Sequence, residues 1–129
     1  MAEGFPATTG DIFTAADYNG LVAFTVGAAQ TADYTAVIAD TYQVLELMNK
    51  ATAIAYKIPT NASVAFPIGT VLTILNIGVG ACTISAVTPA TTTILSAGAV
   101  AASPTLAQYK SAACIKTGTD AWYVVGAIG

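Results

Sequence analysis

Few side chains in this sequence are suited to catalysis or metal binding. The chain has seven acidic residues, four basic residues, two cysteines and no histidine. A nucleophile needs a neighbouring base, most often histidine, so the thiols of Cys82 and Cys114 lack an activating partner of that kind. Asp33 and Asp40 do not have the spacing of a calcium-binding loop. We therefore expect no cofactor and no metal site.

Two further patterns do not qualify as catalytic motifs. Gly78-Val-Gly80 precedes a predicted strand rather than a helix, so it lacks the context of a phosphate-binding loop. The acids fall in a predicted helix, in turns and near the N-terminus, with no sign of the shared cleft that a glycosidase requires. The sequence predicts a protein that is not an enzyme, with no hydrolase, lyase or metal-dependent activity.

The two cysteines allow two interpretations. Cys82 and Cys114 lie in separate apolar stretches, Ala81-Cys-Thr-Ile and Ala112-Ala-Cys-Ile. In such surroundings a cysteine packs as a small hydrophobic residue with a reduced thiol, and this is the interpretation we favour. A disulfide stays open at this point, because it requires the two strands to be neighbours.

A long part of the chain carries no charge. No charged side chain occurs between Lys57 and Lys110, and charged residues make up only 9% of the sequence, against about 25% in typical globular domains. Charged groups keep an exposed surface soluble and monomeric. We therefore expect another subunit to cover part of this surface, as in a larger assembly.

The charges that are present are unevenly distributed, since every acid except Asp120 precedes the first lysine, Lys50. Solvated surface charge explains this distribution, because exposed ions contribute little to stability. Alternatively, an acidic N-terminal segment docks on a mildly basic face of a neighbour. The net charge of −3, with no arginine or histidine, predicts no nucleic-acid partner.

The high apolar content, 55%, does not predict a membrane protein. A spanning helix needs about 20 uninterrupted apolar residues, whereas proline, glycine and asparagine interrupt every apolar stretch here. The N-terminus, Met-Ala-Glu-Gly-Phe-Pro, lacks the basic head and apolar run of a secretory signal. We expect a protein that has no membrane partner and is made and assembled in a cytoplasm.

The first 24 residues differ in pattern from the rest. Residues 1–13 are rich in glycine, proline and threonine and are typical of an extended arm. Thr14-Ala-Ala-Asp17 has the pattern of a capping box with Asp in place of the usual Glu. This pattern predicts a short helix from Ala15 to about Leu21.

Residues 25–129 show the period of two that is typical of β-strands. In the clearest case Ile54, Tyr56 and Ile58 share one side and Lys57 lies opposite. In residues 42–48, Val44, Glu46 and Met48 alternate with two leucines, and one face of that strand is expected to be buried. Further strands are predicted at 24–26, 35–38, 70–75, 82–87, 92–95, 109–116 and 121–127.

Turn residues separate these strands and suggest how they pair. Asp40 is predicted in a turn. The glycine-rich segment after 70–75 predicts a hairpin with 82–87, and Thr117-Gly-Thr-Asp120 predicts a second hairpin, between 109–116 and 121–127. Short strands with regular turns indicate an all-β fold. We predict a small β-sandwich or jelly-roll-like domain over 25–129, preceded by an arm and one short helix over 1–24.

The aromatic residues also allow two interpretations. Tyr56, Phe66, Tyr109 and Trp122 fall within or beside strand patterns, so we interpret them as core or subunit-interface residues. Exposed aromatic side chains can instead bind sugars or protein partners.

Two runs of the sequence resemble a β-domain of tailed-phage virion proteins. The first is the run from Ile58 to Ile84, with Phe66-Pro-Ile-Gly-Thr and a glycine-rich segment; the second is Gln108-Tyr-Lys followed by Lys116-Thr-Gly-Thr-Asp-Ala-Trp. The resemblance covers about residues 42–128. Gly10-Asp-Ile-Phe-Thr-Ala-Ala-Asp-Tyr-Asn-Gly-Leu is similar to segments that precede such domains in phage fibres and decoration proteins. The resemblance implies a virion structural protein, a trimeric habit and no catalytic residues.

Three roles stay open at this point. A tail fibre usually needs a long shaft, whereas this chain is short and ends after the β-domain, so we expect a stand-alone capsid decoration (cement) protein that binds and stabilises the head shell. The alternative is a small tail appendage or fibre knob that binds a host receptor. A secreted carbohydrate-binding module is disfavoured by the missing signal segment.

The expected partners are the major capsid protein and further copies of the chain, in a homotrimer located in the virion. We expect the N-terminal arm to bind the capsid and the β-domain to self-associate. The candidate contact residues are Phe5, Phe13, Asp17, Tyr18, Phe24 and Tyr34.

Overall fold

The computed structural model describes residues 24–42, 44–96, 99–100 and 103–128. Both the predicted arm over residues 1–13 and the predicted helix from Ala15 to Leu21 lie outside the described residues. The strands are β1 Thr25–Val26, β2 Tyr34–Thr35, β3 Val44–Met48, β4 Ile54–Ile58, β5 Val71–Asn76, β6 Cys82–Ala86, β7 Thr93–Ser96, β8 Ala99–Val100, β9 Thr105–Leu106, β10 Lys110–Gly118 and β11 Ala121–Gly126.

The strands form two sheets. A seven-stranded sheet has the order β1-β3-β5-β10-β11-β7-β8, and a four-stranded sheet has the order β2-β4-β6-β9. Alternate residues of the strands from both sheets point into one shared core, as in a β-sandwich. The prediction of an all-β sandwich from the sequence is confirmed.

From β3 to β7 the chain changes sheet at every connection. Strands β3, β5 and β7 belong to the seven-stranded sheet, and β4 and β6 belong to the four-stranded one. As a result β3 pairs with β5 in parallel, and β4 pairs with β6 in parallel. The hairpin predicted between residues 70–75 and 82–87 is therefore wrong, because β5 and β6 lie in different sheets.

The glycines that suggested this hairpin have another role, in a crossover between the sheets. The crossover from β5 to β6 lies directly on the crossover from β3 to β4: the Ile77 amide donates to the Met48 carbonyl at 2.8 Å, and the Gly80 amide donates to the Lys50 carbonyl at 2.9 Å. A Cβ atom at Gly80 would collide with the backbone of Thr52. Glycine is needed here for the close approach of two backbone segments.

The second predicted hairpin is confirmed. Strands β10 and β11 pair in an antiparallel ladder from Ala112 opposite Gly126 to Gly118 opposite Ala121, with a register shift between Lys116 and Gly118. This hairpin occupies the middle of the larger sheet, where β10 also pairs with β5 and β11 also pairs with β7.

The core between the sheets has an apolar centre with polar groups in it. Ile54, Tyr56 and Ile58 point inward from β4, as the alternation predicted. The larger sheet contributes Trp122 and Val124, among others. Among the described residues, six buried ones are polar or charged: Asp40, Glu46, Asn76, Thr92, Ser96 and Lys116. Within the described ranges, every buried side-chain nitrogen or oxygen has a hydrogen-bond partner.

Two positions differ from the simplest expectation. Asp40 lies not in an open turn but in a short 3-10 helix, Ile38–Thr41, where its side chain is buried and accepts from the Val37 amide at 3.0 Å. Tyr109 is not part of the core, since its side chain is 74% exposed and its backbone has a positive φ of 63°. The turn before β10 places it there.

Candidate functional site

Two of the six predicted contact residues lie in the described part of the chain. Phe24 is 51% exposed at the start of that part. Tyr34 is half-buried: its hydroxyl donates to Asp40 at 2.8 Å and its ring lies 5.8 Å from that of Tyr56. The predicted contacts Phe5, Phe13, Asp17 and Tyr18 fall outside the described residues.

The outer side of the seven-stranded sheet is apolar. Strand registers place Leu45 beside Thr73, Thr73 beside Ala113, and Ala113 beside Val125 in one row across four strands. A second row joins Val71, Ile115, Tyr123 and Leu95. We call the outward residues of β3, β5, β10, β11 and β7 the sheet face; they are Leu45, Leu47, Val71, Thr73, Leu75, Ser111, Ala113, Ile115, Thr117, Ala121, Tyr123, Val125, Thr93 and Leu95.

Of the three charged side chains in these strands, Lys110 is exposed at the first position of β10, and the other two are buried. Glu46 in β3 and Lys116 in β10 both point into the core, where they are 3% and 2% exposed. The outward positions between and beside them are apolar or hydroxylic. A sheet with one solvated face normally shows the opposite alternation, hydrophobic inward and polar outward.

The outer side of the four-stranded sheet shows the normal pattern. Its outward residues include Ala55 and Lys57 of β4, and Thr83 and Ser85 of β6. The two outer sides of one small domain thus differ, one being suited to water and the other not. A large exposed apolar patch on a soluble protein marks an interaction site.

A buried acidic cluster lies behind the sheet face. Glu46 accepts a hydrogen bond from the Gln30 amide nitrogen at 3.1 Å, and Asp40 accepts from the Tyr34 hydroxyl at 2.8 Å. Burial raises the pKa of Glu46, the Gln30 hydrogen bond opposes this, and the neighbouring Asp40 raises it further. Burial also raises the pKa of Tyr34, as does its bond to Asp40. Every fully buried polar side-chain atom of the cluster has a partner, which is typical of a structural network.

A second buried cluster surrounds Lys116. Its Nζ donates to Asn61 Oδ1 at 2.6 Å and to the Phe66 carbonyl at 2.7 Å, and it lies 6.0 Å from the centre of the Trp122 ring. Burial lowers the pKa of Lys116, against the influence of Asp120. The sequence contained one signal for this site: Lys116 is in phase with the buried Ala112 and Cys114 of the same strand.

The cysteines lie on opposite walls of the core and are free thiols. Cys82 belongs to the smaller sheet and Cys114 to the larger, and both are buried. Burial raises the pKa of Cys82 to about 11 and that of Cys114 to about 12. The prediction of buried, reduced thiols is confirmed. Thiols in this environment are poor nucleophiles at neutral pH.

A shallow groove lies beside the end of β6. It has a volume of about 90 Å³, whereas pockets for drug-sized ligands have about 300 Å³ or more. The groove is therefore too small to enclose a sugar. Its lining residues are Ser85, Ala86, Pro89, Thr92, Thr93, Ile94 and Ser103.

Neither a metal-binding cluster nor a membrane-spanning helix is present within the ranges that the structure describes. There, no group of three or more His, Cys, Asp and Glu residues is placed to hold a metal ion. Also within those ranges, no helix has the length and apolar character needed to cross a membrane.

Comparisons with known proteins find no relative. No protein-family model, no curated protein and no solved structure matches the chain.

Proposed function

We propose that the protein is a structural subunit of a tailed-phage particle, a capsid decoration protein that self-associates through the sheet face. The observation that supports this proposal best is the uncharged sheet face, centred on Thr73 and Ala113. The location in a phage particle rests on the sequence resemblance described above.

The sheet face suits burial in an obligate interface. Such interfaces are apolar and resemble a domain core cut in half. On this face the aliphatic side chains of Ile115 and Leu95 lie on either side of Tyr123 in the strand register. The cost of leaving such a surface in water scales with its apolar area, so association through it is favourable.

A second copy of the chain is the occupant that fits this face best. The face has no charge, so two or three copies meet without like-charge repulsion and without a need for complementary charges. Its hydroxyl groups, such as those of Thr73 and Ser111, can both donate and accept hydrogen bonds. Hydroxyl groups on one copy can therefore pair with the same groups on another copy. We propose a trimer because the sequence resemblance implies one.

The second element of the proposal is attachment to the shell. Residues 1–24 carry the acids Glu3, Asp11 and Asp17 and the apolar anchors Phe5 and Phe13. A segment of this composition gains order against a partner, where apolar contact and backbone pairing offset the loss of entropy. We assign capsid binding to this segment and self-association to the β-domain.

The test separates these two elements. Deleting residues 1–13 should leave the trimer intact in sedimentation velocity and native mass spectrometry, while abolishing binding to capsids stripped of this protein. The full-length chain is the control in both assays. If the truncated protein still saturates the capsid sites, the arm is not the anchor.

Electron cryo-microscopy of the parent particle tests the location directly. Density for this chain on the head shell is the expected result. Density at the tail would refute the decoration role and leave a tail appendage as the function.

A further inference from the structure

The contact between Lys116 and Asn61 joins two distant parts of the chain inside the core. Lys116 points inward from β10, and Asn61 lies in the loop after β4, 55 residues earlier in the sequence. The distance from Lys116 Nζ to Asn61 Oδ1 is 2.6 Å. The Phe66 carbonyl accepts a second hydrogen bond from the same amine, at 2.7 Å. The amine is thus fixed from two sides.

This contact places a nucleophile beside an amide carbon. Asn61 Oδ1 is bonded to Cγ at about 1.2 Å, so Lys116 Nζ, which is 2.6 Å from Oδ1, must lie within about 4 Å of Cγ. Reacting atoms in near-attack geometry are about 3–3.5 Å apart. A small rotation of the asparagine side chain about its χ1 bond, between Cα and Cβ, brings Cγ into that range.

The surroundings of Lys116 favour the neutral, nucleophilic form of its amine. Lys116 is 2% exposed, and Phe66 and Trp122 form an edge-to-face pair beside it with ring centres 5.5 Å apart. Burial lowers the pKa of Lys116, which increases the fraction of neutral amine, the form that carries a nucleophilic lone pair. Exclusion of water also protects the asparagine amide from competing hydrolysis.

We propose that Lys116 and Asn61 form an intramolecular isopeptide bond in the folded protein, with release of ammonia. A bond forms between Lys116 Nζ and Asn61 Cγ, and the bond between Cγ and Nδ2 breaks. One proton moves from Nζ to Nδ2, which leaves as ammonia. The reaction exchanges one amide for another, so atoms balance and no oxidant or co-reactant is required.

Asp120 is a positioning residue for this reaction. Its Oδ1 accepts hydrogen bonds from the backbone amide of Asn61 at 2.8 Å and from the Thr92 hydroxyl at 3.2 Å. These bonds fix the backbone of Asn61 against the turn between β10 and β11, and so hold the asparagine side chain over the lysine. Asp120 also acts electrostatically on Lys116.

The bond would connect two layers of the fold covalently. It would join the loop after β4, a strand of the smaller sheet, to β10, a central strand of the larger sheet. A cross-link over 55 residues restricts the unfolded chain and slows its complete unfolding.

Mass spectrometry of the purified full-length protein tests the proposal. The intact mass should be lower than the sequence mass by one ammonia. Trypsin should fail to cleave after Lys116, and the peptide of residues 58–110 should be found joined to the peptide of residues 111–129. The variants Lys116→Arg and Asn61→Ala should show no loss of ammonia, while Lys110→Arg should retain the loss and serve as the matched control.

Two results would overturn the proposal. One is a wild-type protein whose peptides 58–110 and 111–116 are recovered separately and unmodified. The other is an ammonia loss that maps to a residue other than Asn61, as in a cyclised asparagine elsewhere. Both are read from the wild-type chain, so they do not depend on whether a variant folds.

The role of Asp120 has its own readout. Asp120→Ala removes the acceptor for the backbone amide of Asn61 and should slow cross-linking at least tenfold in a time course after refolding. Asp120→Asn keeps an acceptor oxygen and should restore the rate. If Asp120→Asn is as slow as Asp120→Ala, the carboxylate acts by proton transfer and the positioning role is refuted.

Discussion

A single charge in the middle of the sheet face should prevent self-association without unfolding the subunit. Thr73 lies on β5 with Leu45 on one side and Ala113 on the other. The change Thr73→Glu places a carboxylate there. In the separated subunit this carboxylate is hydrated, and the cost to the free energy of unfolding is within about 1 kcal/mol, the span of strand propensities.

The cost in the assembly is much larger. An unpaired charge buried in an interface costs about 3 kcal/mol or more. A trimer would bury three such charges, which lowers its association constant by about six orders of magnitude, at about 1.4 kcal/mol for each factor of ten. The variant should therefore be monomeric at micromolar concentration, where we expect the unmodified chain to be a trimer.

The chain offers a matched control on its other side. Thr83 lies on β6 between Ala55 and Thr105, on the outer side of the four-stranded sheet, and is half-buried like Thr73. Thr83→Glu is the same chemical change on the side that already carries Lys57. This variant should keep the oligomeric state of the unmodified chain.

Sedimentation velocity and native mass spectrometry of the three proteins decide the matter, with circular dichroism to confirm that each variant is folded. A folded Thr73→Glu protein that remains a trimer would refute the assignment of the interface. An unmodified chain that is a stable monomer at micromolar concentration would refute self-association altogether.

Three further predictions concern the core. Burial raises the folded-state pKa of Glu46 above its unfolded value of 4.5. The contribution of Glu46 to the free energy of unfolding is therefore complete below pH 4.5 and is lost as the pH rises through the folded-state pKa. Glu46→Gln should remove this pH dependence from the free energy measured by urea titration. Cys82 and Cys114 should not react with a thiol reagent at pH 8 until the protein is unfolded, since burial raises both pKa values, and rapid labelling of the native protein would contradict this. Gly80→Ala should lower the free energy of unfolding by about 3 kcal/mol because of the collision with Thr52, while Val79→Ala at an exposed neighbouring position should change it by less than about 0.5 kcal/mol.

The parts of the fold with a clear local signal could be predicted from the sequence. The alternation of Ile54, Tyr56 and Ile58 with Lys57 predicted which side of β4 is buried. The turn at 117–120 between two apolar runs predicted the hairpin of β10 and β11. In both cases the residues that determine the structure are neighbours in the sequence, so periodicity and turn composition carry the information.

The pairing of the other strands depends on contacts that the local sequence does not encode. The glycines between β5 and β6 had the composition of a hairpin turn, yet they allow one crossover to pack against the crossover at residues 49–52. For β3, the alternation of Glu46 and Met48 with two leucines predicted a one-sided strand but not which side faces inward. The side that carries Glu46 does, and a hydrogen bond from Gln30 satisfies the buried carboxyl group there.

The Lys116 site was visible in the sequence only in part. Lys116 stands in phase with the buried Ala112 and Cys114, which indicates a lysine inside the core. Its partner Asn61 is 55 residues away, in a loop with no repeating pattern. Only the topology, which brings that loop to the end of β10, shows that the amine and the amide meet.

Because the β10–β11 hairpin lies in the middle of the larger sheet, the complete sheet can form only after this hairpin has been synthesised. Strand β5 pairs with β10 and strand β7 pairs with β11, so the larger sheet is two separate pieces until both strands of the hairpin are in position. A nascent chain that stops before β10 lacks Ala113, Ile115, Tyr123 and Val125 of the sheet face. In the proposed trimer, such a truncated chain would therefore lack part of the self-association surface.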